Sequence, residues 1–283
     1  MNVLLTGATG YVGSNVLTAL LAAGHEVLAV TRSESSAQQA RETGAKAVVH
    51  DLTDTEWLVE QLGTVDAAIH TAATGDEQGP ALDDAVVDAV VTAFAGTDKR
   101  YLHTSGIWIW GAGRVAEDGP LDPPAIVAWR IERENRVLSA DVRATLIAPA
   151  IVYGHHSGIV AGVFGEGSRS QDGALRLIGS GDQHWTTVHV EDLADLYVAA
   201  LTDGPRGRVA AASGHNPSVR EIAQAVVGVD GVVLPETPDE SRARLGAALA
   251  DALLVDQQAD GALARATWGW VPRRPSLLDD LAV

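Results

Sequence analysis

Three glycines near the start of the chain, Gly7, Gly10 and Gly13 in TGATGYVG (6–13), are spaced to grip a phosphate. They follow a short apolar run, Val3–Leu5. They precede a stretch of helical apolar spacing over 12–23 that stops at Gly24, a natural C-cap. In such a strand–turn–helix the first glycine permits the tight turn. The second lets backbone approach a pyrophosphate, and the third packs helix against strand. The segment from Thr9 through Tyr11 and Val12 to Gly13 then faces the phosphates from a helix N-terminus, with the helix dipole behind it.

The residues after the second strand decide which dinucleotide such a turn would hold. A carboxylate there binds the two ribose hydroxyls of NAD, but this chain reads Thr31-Arg32-Ser33. A guanidinium beside a hydroxyl suits a 2′-phosphate, so the expectation is NADP(H). The bland alternative is that Arg32 is an ordinary surface charge. After the third strand comes His50-Asp51-Leu52, where Asp51 is placed to meet an adenine amino group or, alternatively, to cap a turn or helix.

These groups need a scaffold. Strands are expected at Glu26–Val30, Ala47–Val49, Ala67–Ile69, Tyr101–His103 and Thr145–Ile147, with helices between them such as Asp54–Leu62 and Leu82–Phe94. Alternation of this kind predicts an α/β fold, a doubly wound parallel sheet covered on both faces. Past about residue 150 the pattern loosens into glycine-rich loops over 162–181. Helices are then expected at His189–Leu201, Ser218–Val227 and Asp239–Ala250, the last two in a smaller, partly discontinuous C-terminal region.

Composition sets the outer limits. With 283 residues the chain can bury a large core, as one domain with an appendage or as two small ones. A formal net charge of -17 makes nucleic acid and anionic membrane poor partners. There is no cysteine, hence no disulfide framework and no thiolate chemistry. MNVLLTGATG carries no cationic leader, and its apolar stretch is short for a signal or a membrane helix, so a cytoplasmic location is expected. His155-His156 lacks a third ligand at a metal-binding spacing, and no metal is expected.

Taken in order, TGATGYVG (6–13), HDLTD (50–54), IHTAA (69–73), HTSGIWIWG (103–111), PAIVYG (149–154), HVEDLADLYVAAL (189–201) and TWGWVP (267–272) resemble the extended and atypical short-chain dehydrogenase/reductases. The resemblance implies a Rossmann domain over 1–150 and a mainly substrate-binding region over 151–283, with about 189–212 returning to the first domain. It also implies that Ala72 and Ala73 line the cofactor, and that Pro149, Ile151 and Tyr153 border the nicotinamide.

The departures from that family matter as much. Its active site uses a Ser or Thr, a Tyr, a Lys and often an Asn; matched to this chain, those places hold Gly106 (with Ser105 beside it), Ile126, Arg130 and Asp88. Where sugar-nucleotide enzymes of the family carry a diphosphate-clamping Arg, this chain has Trp185. Trp108, Trp110, Trp129 and Trp185 are therefore expected around one aromatic-lined cleft, with Ser105, Gly106, Ile126 and Tyr153. Arg130 cannot act as a general acid at neutral pH, but it can bind cofactor ribose or favour an alkoxide. Ser105, Tyr153 and Thr187 are the remaining candidates for a proton donor.

The chain resembles the atypical ketoreductases of aromatic polyketide antibiotic pathways, among them angucyclinone ketoreductases of the simocyclinone type. That implies an NADPH-dependent reductase of a small-molecule aromatic ketone, working as a monomer or homodimer. Protonation would be assisted by the substrate's own phenol. A non-catalytic NADP(H)-binding sensor and a rearranged sugar-nucleotide epimerase or dehydratase are the alternatives.

Overall fold

The computed structural model describes residues 1–282. Its centre is a seven-stranded sheet of β1 (Asn2–Thr6), β2 (Glu26–Thr31), β3 (Lys46–Val49), β4 (Ala67–His70), β5 (Arg100–Thr104), β6 (Arg143–Pro149) and β7 (Gly207–Ala211). The spatial order is β7-β6-β5-β4-β1-β2-β3, and every pairing is parallel. The order reverses between β1 and β4. That opens a crevice at the carboxyl ends of the strands, where doubly wound sheets bind ligands.

Helices cover both faces. α1 (Tyr11–Ala22) lies on one face, α2 (Glu34–Thr43) follows β2, and α3 (Thr55–Gly63), α4 (Gly79–Phe94) and α5 (Arg130–Ser139) lie on the other face. Ser33 caps α2 and Asp54 caps α3, each side chain accepting a backbone N–H of the first turn. α2 has no counterpart among the helices expected from the sequence.

β7 is contributed from beyond residue 200 yet forms the sheet edge against β6. α6 (Val190–Ala200), which precedes it, packs against α1. A separate apolar cluster, including Tyr153, Phe164, Trp185 and Ile222, forms the heart of the C-terminal region. The helix expected over 239–250 is two helices, Pro238–Leu245 and Ala247–Leu253, broken at Gly246, whose φ is +82°. Among the described residues no helix is long and apolar enough to cross a membrane.

Candidate functional site: a dinucleotide cleft over an altered catalytic centre

A cleft of about 940 Å³ opens at the switch point, walled by the β1–α1 turn, the ends of β2 and β3, and Thr71–Thr74 after β4. Its shape depends on glycine. Gly7 has φ +72°, and a Cβ there would lie 2.6 Å from the Ala72 nitrogen. A Cβ on Gly13 would lie 2.0 Å from the Gly7 carbonyl oxygen. Gly10 begins α1 with no side-chain cap, so the first amides of the helix, from Tyr11 onward, have neither a helical nor a side-chain acceptor. Such a turn fits a pyrophosphate. Thr9, Gly10, Tyr11, Val12 and Gly13 line the cleft together with Ala72 and Ala73.

Over β2 and β3 the cleft is lined by Arg32, Ser36, Asp51 and Leu52. Arg32 is exposed. Ser33 does not line the cleft; its hydroxyl caps α2 and meets Ser35 and Ser36. Asp51 takes the turn-capping role at the wall of the cleft. It faces the cleft, and its Oδ1 accepts from the amide and hydroxyl of Thr53, which holds the carboxyl below its ordinary pKa.

A dinucleotide laid across the switch point with adenosine over β2 and β3 sends its other end over β4, β5 and β6. There lie the positions that the family resemblance matches to catalytic residues. Gly106 opens the short 3-10 turn after β5. Ile126 is at the surface on the turn before α5. Arg130 heads α5; its Nη1 donates to the Thr104 carbonyl at 3.1 Å, and its guanidinium stacks 4.7 Å from the Trp129 ring.

Asp88 does not join them. It lies on the outer face of α4, paired with Arg136 at 3.4 Å, because the helix turns that position towards solvent. The acidic residue of α4 that faces inward is Asp83, 4 % exposed, with Oδ1 accepting from His70 Nε2 at 3.0 Å. Sequence reasoning missed it. Its signal was an acid placed on the apolar stripe that continues through Val86, Val87 and Val90.

None of the three candidate hydroxyls points to the cleft. Ser105 is buried and donates to Glu134 Oε1 at 2.5 Å, while Glu134 Oε2 accepts from Arg208 Nε at 2.6 Å. Tyr153 donates to the Pro275 carbonyl at 2.7 Å, and burial pushes its pKa upward. Thr187 is fully buried and donates to the His215 carbonyl. Tyr11, in the cofactor turn, donates to the Gly154 carbonyl.

The tryptophans separate as well. Trp185 is 1 % exposed, its indole N–H donating to the Leu253 carbonyl, so its ring is core and offers no face to a ligand. Trp110, the last residue of the 3-10 turn, is buried in the core. Trp108 and Trp129 are half-buried. Pro149 and Ile151 are buried at the end of β6 and in the strand that follows it. His155 pairs with Glu191 at 3.2 Å, and His189 caps α6 through its side chain.

Residues 3–93 match the model of the NAD dependent epimerase/dehydratase family. Over all of its length the chain is 28% identical to 98% of an uncharacterized protein, C2A9.02, of Schizosaccharomyces pombe. Over 74% of the chain it is 26% identical to 67% of the 4-hydroxy-2-methyl-3-oxo-4-farnesyl-3,4-dihydroquinoline-1-oxide ketoreductase of Stigmatella aurantiaca. Among solved structures it resembles MoeE5 in complex with UDP-glucuronic acid and NAD, with a TM-score of 0.76 and 22% identity, covering 100% of this chain and 97% of that one. The whole chain thus has a Rossmann-type α/β fold like that of MoeE5, and its residues 3–93 match the NAD dependent epimerase/dehydratase model.

Proposed function

We propose that the protein is an NADPH-dependent ketoreductase of a hydrophobic, polycyclic aromatic ketone of angucyclinone-like character. In this reading the proton reaches the product through the substrate's own hydroxyl. The observation that carries it is the fate of the hydroxyls. Ser105, Tyr153, Thr187 and Tyr11 each donate to an internal acceptor, and the place of the family's tyrosine is held by Ile126. A ketone flanked by a phenol brings its own donor, and the site then needs only to hold and orient it. The Stigmatella relative supports the reduction of a fused-ring ketone, since its name places a 3-oxo group, beside a tertiary alcohol, on a dihydroquinoline.

The nicotinamide cofactor, when bound, supplies hydride. Gly7, Gly10 and Gly13 leave room for its pyrophosphate, and Arg32 with Ser36 faces the adenosine end. Arg130, fixed by Thr104 and Trp129, offers positive charge where an alkoxide would develop. Trp108 and Trp129 are the half-buried aromatic faces left for a flat substrate.

The test compares an aromatic ketone bearing an adjacent phenol with its methyl ether, measuring binding and turnover separately. Reduction of the phenol at least tenfold faster at equal occupancy is expected. Equal rates would mean that the protein supplies its own electrophile. Binding of NADPH without its oxidation by any aromatic ketone would instead favour the non-catalytic sensor.

A further inference from the structure

Beneath the carboxyl ends of β4 and β5 lies a chain of buried polar groups that the proposed reaction does not use. Thr6 and His70 Nδ1 are 2.7 Å apart, His70 Nε2 and Asp83 Oδ1 are 3.0 Å apart, and His103 Nε2 lies 3.6 Å from Asp83 Oδ2. Tyr101 meets His103 Nδ1 at 2.8 Å. All five residues are 5 % exposed or less.

The proton positions follow from the chemistry of the partners. A carboxylate only accepts, so both imidazoles turn an Nε2–H towards Asp83. Each Nδ1 then accepts, one from Thr6 and the other from Tyr101. Burial pushes the His103 pKa down to about 3 and keeps the proton on Tyr101, so both stay neutral at physiological pH. Burial alone would raise the Asp83 pKa. The hydrogen bond from His70, with the positive field of Arg130, outweighs it and holds the carboxyl below its ordinary value. Asp83 is therefore the member of the cluster that carries negative charge.

That charge is incompletely matched. Asp83 Oδ2, His103 Nε2 and Arg130 Nε are all buried without a hydrogen-bond partner. Arg130 acts on Asp83 through its field, not through a direct bond. Among the described residues no trio of His, Asp and Glu is disposed to hold a metal ion, so the cluster is not a cation site.

Position gives the charge a consequence. The oxidised nicotinamide ring is a cation and the reduced ring is neutral. A fixed anion under this end of the crevice stabilises the oxidised form, and a fixed cation does the reverse. In a partly dry site such fields act across several ångströms.

We propose that Asp83, hydrogen-bonded by His70 and faced by His103, is a buried counter-charge to Arg130, and that the pair sets the relative affinity of the protein for the oxidised and reduced cofactor. Asp83 is thus a positioning and electrostatic residue rather than one that touches the reacting atoms. The inference rests on nicotinamide binding alone and is independent of the substrate.

The test is the ratio of dissociation constants for NADP+ and NADPH, measured by titration calorimetry on the full chain. Asp83→Asn keeps the shape and removes the charge. It should weaken NADP+ relative to NADPH by about fivefold, as expected for a unit charge acting at moderate range. Arg130→Met should shift the ratio the other way, and it carries the test should Asp83→Asn not fold. A merely structural role would weaken both forms together. An unchanged ratio, within twofold, in both variants with binding intact would overturn the inference. Failure of the wild-type chain to bind either form would overturn the cofactor reading itself, and this inference with it.

Discussion

Ser105 has the residue type and position of a catalytic hydroxyl, yet its surroundings assign it a structural task. Its Oγ donates to Glu134, a carboxylate with no exposed surface, whose other oxygen takes Arg208. The bond joins the end of β5 to α5, and Arg208 extends the link to β7. Ser105→Ala removes one hydrogen bond to a buried charge and leaves Glu134 Oε1 without a donor. The loss for a bond of this kind is about 2 kcal/mol. In a chain of this size that corresponds to a melting temperature lower by about 4 °C. Turnover and NADPH affinity at 25 °C should change by less than about twofold. A cycle with Glu134→Gln isolates the pair, and the double variant should be less destabilised than the sum of the singles. The assays are thermal melting followed by circular dichroism and initial rates at saturating cofactor. A Ser105→Ala protein that melts like the wild type but loses turnover about a hundredfold would refute this reasoning and restore Ser105 as a proton donor.

Other outcomes follow from the same geometry. Arg32→Asp should weaken NADPH at least about tenfold while changing NADH by less than about threefold, since only the former carries a 2′-phosphate; equal losses would make Arg32 an ordinary surface charge. Gly13→Ala places a methyl 2.0 Å from the Gly7 carbonyl oxygen and should cost about 3 kcal/mol or more, with loss of cofactor binding, read by denaturant melts and titration. His103 has its pKa lowered from 6.5 to about 3, so the unfolded chain binds the extra proton first. Stability from this group is complete above pH 6.5 and is lost as pH falls towards 3, by at most about 1.4 kcal/mol per pH unit. His103→Asn should flatten that acid limb of the melting curve. Ile126→Ala should alter substrate KM with kcat within about threefold; abolished turnover would make Ile126 part of the chemistry.

The parts of this site written by backbone sterics could be read directly. Gly7 and Gly13 occupy places where a side chain collides with backbone, so residue type and conformation coincide. The central strands were equally legible, because β1, β4 and β6 are largely apolar runs buried on both faces, whereas the edge strand β7 was not singled out. Side-chain direction was not. Asp88 and Asp83 are both acids on α4, and only the rotation of the helix against β4 and β5 decides which is buried. Trp185 was assigned to a cleft from its place before His189; its ring turns instead into the C-terminal core, where Leu253, remote in sequence, supplies its acceptor. Gly246 carried a breaker signal inside an alanine-rich stretch, and its positive φ ends the helix that apolar spacing alone would extend.

The carboxylate of Asp192 has a consequence for the order in which the molecule is made. Buried at the start of α6, it accepts the backbone N–H groups of Arg273 and Arg274, 81 and 82 positions later, while its carbonyl takes the indole of Trp270. A ribosome delivers α6 long before it delivers those donors. Until they emerge, the carboxylate can enter the interior only by losing water without replacement, at a cost of several kcal/mol. α6, and with it the packing over α1, is therefore expected to take its final position only after those donors are available. The nascent chain holds its glycine turn early and gains the finished packing over α1 only when the segment around residue 273 has been released.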